Sequence, residues 1–382
     1  MKGHYSRFFA GAPERLHFAA HSHHPWPDVT RDAQIEAWDD AALMADQKWD
    51  RVFGEVVVEA QHHIARVLDL PDPKQIAFAP NTHEFVLRLL SCFPPGRRLK
   101  VVTTDSEFLS FSRQIARLEE EELVELVRVP AEPFSSFTER FIEAARASDN
   151  DLVFFSQVFF NSGFVVRDFE AIVNAAASRA MVVIDGYHGF FAVPTSLRKV
   201  ADRAFFLAGG YKYAQSGEGV CFLSVPRADE SRPLNTGWFA GFGALEGGDF
   251  HRVPFSNDGF RFMGATFDPT GLYRFNAVAR LFESHGLTIA AIDDHVKALQ
   301  RLFLDGLGAK RGATLSVEDL IAPEDGLAGL GHFLTFRRTD AGKIAERLAT
   351  GHVIVDHRGD RLRFGFGMYH DAADVLALLT HL

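Results

Sequence analysis

The sequence predicts an α/β protein, with a large domain on a mainly parallel sheet followed by a smaller α+β C-terminal domain. Between residues 75 and 223, short apolar runs rich in Val and Phe recur with helical stretches between them. That is the pattern of strands buried on both faces by crossover helices. After about Gly271 the order changes to two long helices, then strands around a third helix. The length, 382 residues, suffices for one large core and a smaller lobe.

Pro27 and Asp28 open a helical pattern over residues 30–49. Gly54 precedes a second, 55–70, which stops at Pro71-Asp72-Pro73 because proline lacks the N–H that a helix interior needs. Residues 1–50 read as an N-terminal arm. Strands are expected at 75–78, 100–104, 152–155, 181–184, 204–207 and 220–223, with a helix over 169–179, and they place the large domain at 51–275. Helices at 272–284, 289–307 and 340–349, with strands at 332–337 and 353–356, make up the small domain, 276–382.

Composition removes several function classes. Forty basic residues against fifty acidic ones give a net charge of −10, the wrong sign for gripping nucleic-acid phosphates or an anionic membrane. Residues 1–16 carry Lys2, Arg7, Glu14 and Arg15 with no apolar export core, and no stretch reaches roughly eighteen uncharged apolar residues. Neither nucleic acid nor membrane is an expected partner. Cys92 and Cys221 each lie in an apolar run, which leaves no disulfide framework or cysteine zinc site and fits a reducing cytoplasm. The histidines at 21, 23 and 24 and at 62 and 63 lack the spacing and carboxylates of a zinc enzyme, so no metal is expected. Gly241-Phe242-Gly243 has Glu246 where a dinucleotide fingerprint needs its third glycine, and Gly342-Lys343 runs into Ile344, so nicotinamide and Walker-type sites are excluded. Phenylalanine, 37 residues, points to a ring-filled core.

The chemistry concentrates in two segments. Asp185 ends an apolar strand in Ile184-Asp185-Gly186-Tyr187-His188-Gly189. Lys212 follows the next strand in the glycine-rich turn of Gly209-Gly210-Tyr211-Lys212-Tyr213, which continues to Gly217-Glu218-Gly219. Parallel strands deliver both side chains to the carboxyl edge of the sheet, where α/β proteins bind ligands. An amine there can form a Schiff base with an aldehyde, and a neighbouring acid can keep a pyridine nitrogen protonated. These are the two requirements of pyridoxal 5′-phosphate (PLP) chemistry.

Asp185-x-x-His188, Tyr211-Lys212-Tyr213 and Gly217-Glu218-Gly219 resemble the class V aminotransferase family of fold-type I PLP enzymes, and within it the kynureninase-like branch. Further landmarks follow in order: Asn81-Thr82-His83, Ser156-Gln157, Gly237-Trp238-Phe239 and Arg361-Leu362-Arg363-Phe364. The resemblance implies that Lys212 is the Schiff-base lysine, that Asp185 holds the ring nitrogen, and that His188 supports Asp185 or the ring phenolate. It places the phosphate at Asn81, Thr82 and His83, where a helix N-terminus offers unpaired amides. Tyr211, Trp238 and Thr266 resemble further phosphate-reaching positions, the last two from a partner subunit. Phe111, with Phe108 as the alternative, would stack on the ring. Gln157 would bond its phenolic oxygen, and Arg363 would bind the substrate carboxylate as a planar fork.

The implied function is a PLP-dependent enzyme of the class V aminotransferase-like type, acting on an α-amino acid through an external aldimine, with a homodimer as its assembly. Kynureninase-type hydrolysis is one alternative, and cofactor binding without turnover is another. The family's desulfurases need a late-chain cysteine, and none follows Cys221.

Overall fold

A computed structural model describes residues 1–247 and 252–382. Its strands are β1 (Leu16–His17), β2 (Ile76–Ala79), β3 (Leu99–Thr104), β4 (Val124–Val129), β5 (Leu152–Ser156), β6 (Met181–Asp185), β7 (Ala204–Gly209), β8 (Cys221–Ser224), β9 (Phe333–Arg337), β10 (Val353–Ile354), β11 (Asp356–Arg358) and β12 (Arg361–Gly365). The large sheet has the order β2-β8-β7-β6-β5-β3-β4. β8 is antiparallel to both its neighbours, and the other pairs are parallel. Consequently β2, β5, β6 and β7 all end on one edge, and β8 begins there. The arrangement is the expected α/β class, built on a mainly parallel sheet.

The six strands expected in the large domain form within a residue or two of their expected bounds. β4 is an addition: it lies at the sheet's outer edge, buried only at Val124 and Val129, so it carries no continuous apolar run. The helix expected over 169–179 ends at Ala175, because Ala176 turns to extended backbone. The pattern over 30–49 breaks after the Val29–Met44 helix, where Ala45 takes a positive φ of 48°. The strand expected over 353–356 divides into β10 and the first residue of β11, which join different sheets.

Two ring-rich cores result. One surrounds the large sheet; the other joins Phe303, Phe336, Phe364 and Phe366 with Phe18 from the far end of the chain. β1 pairs in parallel with β10, the Phe18 amide donates to the Ile354 carbonyl at 2.8 Å, and the Gly365 amide donates to the Phe18 carbonyl at 2.7 Å. The start of the chain thus lies between β10 and β12, carrying the histidines that follow it toward the sheet edge. Among the described residues, no helix is long and apolar enough to cross a membrane.

Phe18 is fully buried, so Phe18→Ala should lower unfolding free energy by about 3–5 kcal/mol in chemical denaturation. A loss below about 1 kcal/mol, within the ordinary surface range, would show that this core does not depend on the N-terminal segment.

Candidate active site

Lys212 is placed by a loop with little conformational choice. After β7 the chain turns through Gly210, whose amide donates to the Val220 carbonyl at 2.8 Å, and returns through Gly217 and Gly219, both at positive φ (72° and 90°). At Gly217 a side chain is excluded twice, since a Cβ would also lie 2.5 Å from the Trp26 ring. The loop holds Lys212 only 3% exposed, with Nζ 2.7 Å from His188 Nε2. Three rings surround the amine: Phe108 and Tyr187 at 5.0 Å and Tyr211 at 5.7 Å from their centroids. The cavity beside it, about 170 Å³, is lined by Thr82, Phe108, Ser156, Asp185 and Tyr187 among others.

Burial sets the electrostatics. Loss of water pushes the Lys212 amine below its usual range; Asp185 pulls it up and Arg363 pushes it further down. Burial also drives His188 well below its ordinary value, reinforced by the Lys212 charge, so its imidazole is neutral and can accept from the amine. Asp185 is pushed up by burial, against the hydrogen bond it accepts from the Tyr187 amide at 2.9 Å and the Lys212 charge. Behind it, Glu107 accepts from the Thr104 and Ser156 hydroxyls, both at 2.6 Å, and from the Ser156 amide at 3.1 Å. Burial nevertheless pushes Glu107 up to about 7, and the Asp185 charge adds to the shift.

Of the expected residues, the structure gathers Asn81, Thr82, Asp185, His188, Tyr211 and Lys212 around this cavity. Asn81 caps the Thr82–Leu90 helix, accepting from the Glu84 amide at 3.0 Å, so the helix starts at the cavity wall. Phe111 is displaced from its expected role. It lies one turn into the Leu109–Glu120 helix, stacked on Phe154 in the core with centroids 3.6 Å apart, while Phe108 faces Lys212. Gln157 is also turned away, because successive residues leaving a strand alternate faces. It donates to Thr195 Oγ1 at 2.7 Å, its Oε1 fills the space beside Gly189, and Ser156 takes the cavity side.

His83 lies in a neighbouring groove with Ser110 and Arg113. Trp238 and Thr266 are exposed and do not line the cavity of this chain. Arg363 is buried nearby but outside the lining: it donates to the Phe160 carbonyl at 2.6 Å and to Asp356, and its Nε has no partner among the described residues. Sequence reasoning did not single out Glu107, Tyr187, Cys221 or Asp356. Strand alternation was the available signal for Ser156, whereas the Asp356–Arg363 pairing depends on the β11–β12 register.

The family model for class V aminotransferases (Aminotransferase class-V) matches residues 45–378. The chain belongs to this family. Among solved structures it is similar to a mutant of C-DES with glycine covalently linked to the PLP cofactor, at 15% identity and TM-score 0.81, covering 98% of this chain and 97% of that one. It is also similar to apo cysteine desulfurase from Thermococcus onnurineus NA1 (17% identity, TM-score 0.78, 96% and 94% covered). The cysteine desulfurase CsdA from Escherichia coli is a third (15% identity, TM-score 0.76, 99% and 96% covered). A search of curated proteins finds no match. The family's cofactor is PLP, and the site fits it: a buried amine, a buried acid able to pair with a ring cation, and a capped helix start share one cavity.

The raised Glu107 value has a signed consequence. Its folded-state pKa, about 7, exceeds the ordinary 4.5, so its protonation stabilises the fold fully at low pH and less as pH rises through 7. Glu107→Gln apoprotein should therefore gain melting temperature relative to wild type between pH 5 and pH 8. A pH-independent difference would contradict the buried-acid assignment.

Proposed function

We propose that this protein is a PLP-dependent enzyme acting at the Cα of an α-amino acid, of the aminotransferase type. The observation that carries this reading is the Lys212 amine, buried against a neutral His188 imidazole on the same sheet edge as buried Asp185. Lys212 is the amine that would hold the cofactor through its aldehyde, and as a free amine it would move the Cα proton. His188 orients that amine by accepting its hydrogen bond. Asp185 would hold the proton at the ring nitrogen, and Phe108 would pack against the ring. When bound, PLP supplies the electron sink for the pair left at Cα.

The Thr82 hydroxyl, the first amides of its helix and Tyr211 hold the phosphate. Arg363 takes the substrate carboxylate through its guanidinium fork, exchanging its contact with Asp356 for the ligand. In this reading the enzyme is a cytoplasmic two-fold homodimer, with Trp238 and Thr266 reaching the partner's phosphate site. Elimination of a sulfur-bearing side chain is the second reading, favoured by the likeness to a cystine C-S lyase, C-DES, in complex with cysteine persulfide.

The test is to load the protein with PLP and offer it an α-amino-acid panel that includes cystine and kynurenine. Transfer of the amino group to an added 2-oxo acid supports the first reading. Pyruvate and persulfide from cystine favour the second, and alanine from kynurenine favours hydrolysis. No absorbance change and no product with any α-amino acid would overturn action on amino acids. Arg363→Ala should raise KM by roughly the 2–5 kcal/mol equivalent of losing one partner of a buried charge pair; an unchanged KM would move the carboxylate site elsewhere.

A further inference from the structure

We infer that the Tyr187 hydroxyl is a donor to the cofactor phosphate, occupying the space of a side chain that β7 lacks; this rests on the reading of the cavity as the PLP site. Strand register fixes the position. Ala79 of β2, Cys221 of β8 and Gly209 of β7 form one row across the sheet, at the edge where β2 and β7 end. Three residues beyond Ala79 is Thr82, the first residue of the helix that starts at the cavity wall. Two residues beyond Gly209 is Tyr211, beside Lys212.

Tyr187 comes from the next strand, β6, two residues past Asp185, and lays its phenol over this row. A Cβ on Gly209 would lie 2.3 Å from the Tyr187 Oη, 2.4 Å from the Cys221 Sγ and 2.5 Å from the Tyr187 Cζ, so the phenol and the sulfur fit together there only because residue 209 has no side chain. Its ring lies 5.1 Å from the Tyr211 ring and 5.0 Å from Lys212 Nζ. The aromatic body therefore runs along the cavity from the amine, and its hydroxyl reaches the sheet row beneath the helix start.

Among the described residues the hydroxyl has one partner there, the Cys221 sulfur, at 3.5 Å. The Thr82 amide also faces that sulfur. Two donors, one phenolic and one from the first turn of a helix, thus converge on a weak acceptor in a cavity wall. Burial keeps the phenol protonated, and a buried hydroxyl favours a strong acceptor over a thiol. A phosphate oxygen at the helix start supplies that acceptor to both donors.

The discriminating quantity is the preference of the apoprotein for PLP over pyridoxal, which has the same aldehyde and ring but no phosphate. Both are titrated by absorbance and by quenching of protein fluorescence, with folding checked by circular dichroism. Tyr187→Phe should lower the PLP-to-pyridoxal affinity ratio about tenfold, the scale of one hydrogen bond to a charged group, while pyridoxal affinity itself changes little. Tyr187→Ala should lower the ratio similarly. An unchanged ratio in Tyr187→Phe overturns the inference, as does an unchanged ratio in Tyr187→Ala. A wild-type protein with no preference for PLP over pyridoxal overturns the PLP reading of the cavity as well.

Discussion

A primary amine kept from water governs the arrangement of this protein. Lys212 is almost wholly buried, its nearest polar contact is a neutral imidazole, and its nearest faces are aromatic. An ammonium is costly in such a place, and burial lowers its affinity for a proton. The same withdrawal from water pushes Asp185 and Glu107 the opposite way. Amine and acids are therefore biased together toward their neutral forms, and a cationic ring nitrogen beside Asp185 would restore the charged state of that acid.

The sheet makes this concentration of groups feasible. Because β8 alone runs against its neighbours, the ends of β2, β5, β6 and β7 converge with the beginning of β8, and each contributes to one cavity without a long excursion of chain. The second core adds a constraint from the opposite end of the sequence. Phe18 anchors the N-terminal segment between β10 and β12, which brings His21 Nε2 to 3.7 Å from Asp356, the partner of Arg363. Arg363, whose charge acts on the Lys212 amine, is thus oriented by residues from two distant parts of the chain.

Local pattern made much of this legible. Five of the parallel or edge strands announce themselves as short apolar runs, and Asp185, Lys212 and Thr82 are recognisable because each stands immediately beyond such a run. Where two neighbouring residues of suitable type compete, one-dimensional pattern is weaker. Phe108 and Phe111 differ by three helical positions, and Ser156 and Gln157 by one strand position; in each pair, the direction of the side chain decides which meets the cavity. Long-range pairing was the least accessible, since nothing near residue 18 announces a partner near residue 354, and nothing near Gly209 announces the phenol of Tyr187. β4 escaped notice because a half-exposed edge strand carries charged residues between its buried ends.

Reduction of the PLP-loaded protein with borohydride, followed by peptide mass mapping, tests the central assignment most directly, because it fixes the cofactor to whichever amine holds it. A pyridoxyl group on the Lys212 peptide alone is expected. A label on a different lysine, or yellow protein that yields no labelled peptide, would contradict the assignment of Lys212 and with it the chemistry built around that amine.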